Sequence, residues 1–427
     1  MTALSWASVA VFLAAYALIA TEKVHRVAAA LGGAGIMLLI HATGAEAAFF
    51  SERTGVDWNV IFLLLGMMII VGVLKETGVF EFLAIWAAKR ARGRPFRLMA
   101  LLVIITASAS ALLDNVTTVL LIAPVTFLVC ERLALPAAPF LIAEAMASNI
   151  GGAATLIGDP PNIIIASRAG LTFNDFLVHM APMVVVLMAV FVGLCRLMFG
   201  RHFRHDPERA AEIMALDERE ALGDRTLLWQ SLSVLVLVMA AFVLHPVLHY
   251  EPSVVALLGA GVLVAVTKVT TERAIAEVEW PTLVFFAGLF VMVGSLVETG
   301  VIGALSKAAV EATAGRPELT TLGLLGVSGV LSAIVDNIPY VATMSPIVEQ
   351  LVHANGGDQT LWWALAFGAD LGGNATAVGA AANVVVLGIA ARNGTPISFW
   401  QFTKYGLVVT VVTVGLVAPY LWLRYLL

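Results

Sequence analysis

Five acidic residues of this sequence lie within long apolar runs, where a charged side chain in a membrane is costly and commonly functional. They are Asp114, Glu144, Asp159, Asp336 and Asp370. No Lys or Arg lies in the central third of any of these runs. Because burial disfavours the charged form of a carboxylate, each acid is a candidate proton carrier. A binding site lined by acidic residues without basic ones would bind a cation, a proton or a neutral polyhydroxyl solute more readily than a multiply charged anion.

Short polar side chains and glycines accompany these acids. Two segments cannot continue an ordinary helix: GGAATLIGDPPN (151–162) and GGNATAVGAAAN (372–383). Their unpaired backbone N–H and C=O groups would therefore face a solute that crosses the membrane. The residues predicted to bind substrate are Asp114, Asn115, Thr117, Thr118, Asn149, Gly151, Gly152, Thr155, Asn162, Asp336, Asn337, Gly372, Gly373, Asn374, Thr376 and Asn383. Proton coupling is predicted for Asp114, Asp336, Asp159, Asp370 and Glu144, with preference for Asp114 and Asp336. Helix capping is the alternative role for these two aspartates.

The elements that must position these residues are membrane helices. Of 427 residues 60% are hydrophobic and 12% charged, against roughly 25% charged in soluble domains. This composition excludes soluble folds, disulfide scaffolds, disordered chains and nucleic-acid binders, and it predicts an all-α polytopic membrane protein. Ten crossings are predicted at about 4–20, 26–41, 58–74, 138–168 (broken), 178–199, 227–248, 252–268, 281–297, 361–391 (broken) and 403–423.

Two further apolar stretches, 98–130 and 319–348, are predicted to be re-entrant helical hairpins. The first would be about 50 Å long as one helix, against a hydrocarbon core of about 30 Å, so it must fold back. Asp114-Asn115 is its natural turning point, because short polar side chains cap a helix N-terminus. Asp336-Asn337 takes the same place in the second stretch, with Pro339 suited to the first helical turn.

The chain contains an internal repeat. Residues 58–79 align without gaps on 280–301 with nine identities in 22 positions, and the same offset carries Asp114-Asn115 onto Asp336-Asn337. An offset of 221 carries 151–162 onto 372–383 with six identities in twelve. The first copy has five crossings and one hairpin that returns to its own side. Because five is an odd number, the second copy begins on the other side of the membrane and the repeats are inverted, an arrangement typical of secondary transporters. The predicted parts are 1–199, a solvated cytoplasmic linker over 200–226, and 227–427.

The distribution of basic residues predicts the orientation. With both termini outside, 19 of the 24 Lys and Arg residues fall on the cytoplasmic side. The five predicted outside are Arg53, Arg168, Lys307, Arg316 and Arg424. We therefore expect a multi-pass protein of a bacterial inner membrane, with N- and C-termini outside.

Four segments resemble the ArsB/NhaD family of permeases in the ion transporter superfamily, and most closely its P-protein-like branch. They are LLDNVTTVLLIAPVTF, SNIGGAATLIGDPPNIIIAS, AIVDNIPYVATMSPIV and LGGNATAVGAAANVVVLGIA. The resemblance implies a homodimer with a scaffold domain and a mobile transport domain that works by an elevator-type movement. It also implies gradient-driven transport of arsenite or antimonite, or of sodium against protons. Dicarboxylate and citrate relatives carry Ser-Asn-Thr where this chain has Ser148-Asn149-Ile150, so the resemblance favours a carboxylate less.

Together these observations predict a secondary transporter and not an enzyme. The first hypothesis is efflux of arsenite or antimonite in exchange for protons, and the alternative is a Na+/H+ antiporter. An anion or carboxylate symporter, an intramembrane aspartyl protease and a passive channel are less favoured. The expected partners are a small inorganic solute, protons, membrane lipid and a second copy of the chain, with a cytoplasmic ATPase subunit left open and nucleic acid excluded. No cofactor is expected beyond Na+ as a coupling ion.

Overall fold

The computed structural model describes residues 1–21, 24–200, 203, 207–214, 217–313, 316–354 and 357–427. Within these ranges the regular structure is entirely helical, which confirms the predicted fold class. The α-helices are α1 (Ala3–Ala20), α2 (Arg26–Leu39), α3 (Ala45–Phe50), α4 (Trp58–Lys75), α5 (Val79–Ala91), α6 (Pro95–Ser110), α7 (Asn115–Arg132), α8 (Ala137–Gly152), α9 (Pro160–Ala169), α10 (Phe173–His179), α11 (Ala181–Phe199), α12 (Pro207–Met214), α13 (Arg225–Val243), α14 (His245–Leu248), α15 (Pro252–Val266), α16 (Thr271–Ala276), α17 (Trp280–Glu298), α18 (Val301–Thr313), α19 (Pro317–Ile334), α20 (Asn337–Ala354), α21 (Thr360–Gly372), α22 (Ala381–Arg392) and α23 (Phe399–Leu421).

Seven of the described helices are long and apolar enough to cross a membrane: α4, α7, α11, α13, α17, α19 and the last helix with its terminal turn. Five of them coincide with predicted crossings, whereas α7 and α19 are limbs of the predicted hairpins. The other predicted crossings correspond to the apolar helices α1, α2 and α15 and to two pairs of half-helices. The protein is therefore a multi-pass membrane protein.

Both predicted hairpins are present as antiparallel helix pairs. The chain turns between α6 and α7 at residues 111–114, and between α19 and α20 at Val335 and Asp336. The side chain of Asp114 accepts a hydrogen bond from the Thr117 backbone N–H at 2.8 Å, which caps α7. Asp336 accepts from the Ile338 N–H at 3.0 Å at the start of α20. The acids thus stop one limb and start the next, as their sequence position predicts.

Both predicted broken helices are also present. Helix α8 is separated from α9 by residues 153–159, and α21 from α22 by residues 373–380. In each break the chain folds tightly on itself at a pair of glycines: a Cβ on Gly158 would lie 2.5 Å from the Gly152 carbonyl oxygen, and one on Gly379 would lie 2.7 Å from that of Gly373. Only glycine permits such an approach of two backbone segments.

Substituting Gly158 by alanine is expected to lower stability by about 1–3 kcal/mol, since the new methyl group meets backbone oxygens that cannot rotate away. The measurement is thermal unfolding of the purified protein in detergent. Gly193→Ala in α11 is the matched control, because a Cβ there has no atom within 4 Å among the described residues. Equal unfolding temperatures for the two variants would contradict the tight fold of this break.

The helices pack as two groups, each drawn from both repeats. The first helix group contains α1, α2, α4, α13, α15 and α17; its main contacts are α4 with α15 and α2 with α17. The second helix group contains both hairpins, both broken helices, α11 and α23, and its main contacts are α19 with α21 and α6 with α8. The two groups meet over smaller contacts, among them α4 with α9 and α17 with α20. The candidate site lies within the second group.

Polar contacts join segments that the sequence predicts to lie on the same side of the membrane. At one end, Lys75 pairs with Glu277 at 2.8 Å and Arg26 donates to the Thr282 hydroxyl at 3.1 Å. At the opposite end, the Tyr420 hydroxyl donates to the His179 carbonyl at 2.6 Å. The first contacts join segments predicted to be cytoplasmic, and the last joins segments predicted to be outside.

The described part of the linker is attached to the end of the molecule that is predicted to be cytoplasmic. Glu218 pairs with Lys89 of α5, and the Gly223 N–H donates to the Thr77 carbonyl at 3.1 Å. The hydrogen bond from Lys89 lowers the pKa of Glu218. Linker residues 201–202, 204–206 and 215–216, like Lys23, lie outside the described residues. The linker therefore packs against α5 where it is described, which a fully solvated segment would not do.

Candidate functional site

The carboxylate of Asp159 lies where the two hairpin tips meet. The Asn115 side-chain amide, from the first tip, donates to it at 2.8 Å, and the Asn337 amide, from the second tip, donates at 3.3 Å. All three side chains are buried, and Asp159 has no exposed surface. Hydrogen bonds from two tips that come from opposite ends of the molecule therefore converge on one acid in the first break.

A second amide joins the two broken helices. Asn149 of α8 donates to the side-chain oxygens of Asn374 and Asn383, both at 3.0 Å. Its own oxygen accepts from Asn115 at 3.1 Å. Together with Asp159 and Asn337 these side chains form a continuous buried network, which we call the amide network: Asn115, Asn149, Asp159, Asn337, Asn374 and Asn383.

The breaks themselves are held by a set of hydrogen bonds that the two repeats share. The Thr155 hydroxyl donates to the Ala111 carbonyl at 2.6 Å, and its equivalent Thr376 donates to the Ala333 carbonyl at 2.6 Å. The Asn162 amide donates to the carbonyls of Gly152 and Thr155, and the Asn383 amide to those of Gly373 and Thr376. These predicted site residues therefore satisfy freed backbone groups and tie each break to its hairpin tip.

The acids of the site have different surroundings. Asp370 is fully buried, and neither of its oxygens accepts a hydrogen bond of standard geometry from the described residues. The Asn162 amide lies beside it, but the N–H groups of that amide point to backbone carbonyls. Asp159 lies within electrostatic range of Asp370, Asp336 and Asp114. The site thus holds two fully buried acids, Asp159 and Asp370, and Asp370 lacks a donor among the described residues.

Two more acceptor oxygens of the site are unpaired. The side-chain oxygens of Asn115 and Asn162 are buried and accept no hydrogen bond from the described residues. The described partners of the amide network include no Lys or Arg side chain. An unpaired buried acceptor costs about 1–3 kcal/mol, more when it is charged. The site therefore offers several unpaired acceptors to a ligand that donates hydrogen bonds or carries positive charge, together with an unpaired donor, the Asn374 amide.

The remaining predicted residues have other places. Glu144 accepts from the Thr126 hydroxyl at 2.5 Å, and none of its described hydrogen bonds reaches the amide network. Gly151 and Gly372 face backbone of the adjacent hairpin, where a Cβ would lie 2.3 Å from the Ala107 oxygen and 2.6 Å from the Gly329 oxygen respectively, so they permit close helix packing. Thr117 supplies the backbone N–H that donates to the Asp114 side chain, and Thr118 is buried with an unpaired hydroxyl.

Among the described residues there is no cluster of three or more His, Cys, Asp and Glu able to hold a metal ion.

Sequence reasoning placed Asp114 and Asp336 first because they are copies of each other. The structure makes both of them half-buried helix caps and puts Asp159 at the meeting point of the tips. Asp159 and Asp370 were also predicted, and the offset of 221 sets them apart because it carries Asn149 onto Asp370 and Asp159 onto Ala380. The positions where the repeats differ in charge are those that hold the central carboxylates.

Comparisons with known proteins agree with this architecture. The family CitMHS, described as citrate transporter, matches residues 16–368. An uncharacterized transporter of Mycobacterium tuberculosis is 58% identical over 425 residues, covering 99% of both chains. The P protein of Homo sapiens is 33% identical over 490 residues, covering 95% of this chain and 58% of the P protein. The crystal structure of the Alcanivorax borkumensis YdaH transporter has a similar fold, with a TM-score of 0.58 and 16% identity over 85% of each chain.

Proposed function

From the geometry of the site we propose that this chain, which belongs to the CitMHS family described as citrate transporter, exchanges protons for a small solute that carries no net negative charge. The observation that carries the proposal is the buried carboxylate of Asp370, which has no donor among the described residues, in a site that also holds the unpaired oxygens of Asn115 and Asn162. Such a carboxylate must be satisfied by a proton or by a ligand, and binding one excludes the other. Competition at one buried acid is sufficient to couple two fluxes.

The same geometry argues against citrate as the cargo of this chain. Citrate is an acceptor with up to three negative charges, whereas the site holds the buried carboxylates of Asp159 and Asp370 and no described basic side chain bonds to the network. Arg26 lines the cavity that reaches Asp336, but its described hydrogen bond goes to Thr282, so within the network opposing charge would have to come from bound cations. A family description of citrate transport and a site built from acids and amides thus point to different cargoes, and the site geometry decides our proposal.

The leading cargo is arsenite as the neutral trihydroxide, exported in exchange for protons; antimonite has the same chemistry. Its three O–H groups are donors, and the site offers the unpaired acceptors of Asp370, Asn115 and Asn162. Sodium is the second candidate, because a desolvated carboxylate with amide oxygens is also a set of cation ligands. In that case Na+ is the coupling ion, and the protein is a Na+/H+ antiporter.

An elevator-type movement of the second helix group past the first is the proposed transport step. The whole site lies in the second group, while the two groups meet over comparatively small contacts between helices such as α4 and α9. Both hairpins and both breaks could therefore move together without breaking the amide network. A homodimer built on the first group and an attached ATPase subunit are expectations from the family resemblance, and we carry them as part of this proposal.

The test is exchange in proteoliposomes loaded with a pH-sensitive dye, with arsenite, sodium or citrate added outside. Proton movement driven by arsenite supports the leading proposal, and proton movement driven by sodium alone selects the second candidate. A response to citrate alone, or uptake of arsenite that ignores the proton gradient, would overturn proton exchange of an uncharged or cationic solute. Protein-free liposomes provide the baseline for passive leakage.

A further inference from the structure

Two cavities lie between the helix groups at opposite ends of the molecule. The large cavity, of about 410 Å³, is lined among others by Arg26, Glu279, Asp336 and Val384. The small cavity, of about 270 Å³, is lined among others by Asn59, Leu156, Ile163, Ser167 and Ser253. The residues that line the large cavity include those predicted to be cytoplasmic, and the small cavity lies at the opposite end.

The two cavities are copies of one cleft, related by the inverted repeat. Ile163 lines the small cavity, and the offset of 221 carries it onto Val384, which lines the large cavity. Each cavity is bounded by a half-helix that follows a break, α9 or α22, and by the start of α4 or α17, which are themselves equivalent. Equivalent clefts at opposite ends are what alternating access from two sides requires.

The two copies are in different states. Val384 is 38% exposed, whereas Ile163 is 3% exposed. The large cavity extends to Asp336 at a hairpin tip, and the small cavity extends only to Leu156 in the break, without the other tip acid, Asp114, among its lining residues. One cleft is therefore open as far as the hairpin tips, and its copy is narrowed.

Hydrogen bonds close the narrowed cleft at its rim. The Ser167 hydroxyl on α9 donates to the Asp57 carboxylate at the start of α4. The next residue, Arg168, donates to the Arg53 carbonyl at 2.9 Å and lies 3.6 Å from Glu349. We call the Ser167–Asp57 and Arg168–Arg53 contacts the rim latch. They join the second helix group to the first.

Among the described residues the open cleft has no equivalent of the Ser167–Asp57 contact, and the amino-acid sequence explains why. The residue equivalent to Ser167 is Gly388, which has no hydroxyl group. The residue equivalent to Asp57 is Glu279, and it accepts from Thr282 of its own helix at 3.1 Å. The two ends of the protein therefore differ in the strength with which they hold the clefts shut.

We infer that the two cavities are the two access routes of one transport cycle, that the large cavity is the open route, and that the rim latch holds the other route closed. This inference rests on the proposed transport function, since access routes have meaning only for a transported solute. It assigns a role to Ser167, Asp57 and Arg168, which contact neither the amide network nor Asp370 in the described structure. Breaking the latch should shift the equilibrium toward opening of the small cavity.

The test is labelling of single cysteines by a membrane-impermeant thiol reagent in sealed vesicles of both orientations. The background replaces the buried Cys130 and Cys195 by alanine. Val384→Cys is expected to react at least about tenfold faster than Ile163→Cys, and only from the side predicted to be cytoplasmic. Adding Ser167→Ala is expected to raise labelling of Ile163→Cys from the opposite side by about tenfold, the lower end of the effect of losing one hydrogen bond to a charged carboxylate.

Arg53→Ala is the matched control, because Arg168 bonds to the backbone carbonyl of Arg53 and not to its side chain. Labelling of Ile163→Cys should be unchanged in this variant. Equal reactivity of the two cysteines would overturn the assignment of an open and a closed route, and an unchanged Ile163→Cys rate with Ser167→Ala would overturn the latch. Labelling requires no transported solute, so failure here is separate from failure of the proposed exchange.

Discussion

Replacing Asp370 by asparagine is expected to abolish proton exchange, with a loss of about 100-fold or more, while the protein stays folded. The substitution removes a buried carboxylate that accepts no hydrogen bond from the described residues. Asparagine has nearly the same shape and can still receive a ligand, but it cannot release a proton. The measurement is the dye signal in proteoliposomes, with the amount of reconstituted protein determined alongside.

Asp336→Asn is the comparison variant for this experiment. Asparagine keeps the cap on the Ile338 N–H, so the hairpin should remain intact, and only the charge at the tip is removed. Full loss of exchange in Asp336→Asn together with intact exchange in Asp370→Asn would contradict our assignment. That result would assign the proton-carrying role to the acids of the hairpin tips, which the sequence alone favours.

Replacing Asp159 by alanine is expected to lower both stability and transport. Two buried amides, those of Asn115 and Asn337, would lose their shared acceptor, at about 1–3 kcal/mol each. The hairpin tips would no longer be fixed to each other across the centre of the second helix group. The checks are thermal unfolding in detergent and exchange in proteoliposomes.

Asp159→Asn separates the structural effect from the charge, because one amide oxygen remains to accept from a tip. It should recover part of the lost stability. Glu144→Gln serves as an outside control, since Glu144 bonds to Thr126 and not to the described amide network. Unfolding of Asp159→Ala at the wild-type temperature would show that the two tips do not depend on this carboxylate.

Much of the backbone plan could be predicted because single residues force it. A 33-residue apolar stretch with one charge at Asp114 has to turn there, and consecutive prolines at 160 and 161 have to begin a half-helix. The duplicated Thr155 and Thr376 hydrogen bonds then follow from the repeat itself. Local sequence preferences and the internal repeat are therefore enough to predict the turns, the helix starts and the hydrogen bonds that the two copies share.

Convergence of both hairpin tips on Asp159 was not predictable in the same way. It depends on the packing of four segments that are far apart in sequence, and no pattern within one segment contains it. Gly151 and Gly372 were assigned to binding because glycines free the backbone, whereas in the fold they allow α8 and α21 to lie against the neighbouring hairpins. Helices α5 and α18 were also missed, because they are short and, for α5, end in Lys89 and Arg90.

The most direct test of proton competition at Asp370 is proton release on binding, measured by titrating arsenite, and separately sodium, into weakly buffered purified protein with a pH indicator. For the cargo, we expect about one proton released per protein bound in the wild type and none in Asp370→Asn. Citrate should release none. Binding of both solutes without proton release, or equal release from wild type and Asp370→Asn, would contradict exchange at this acid.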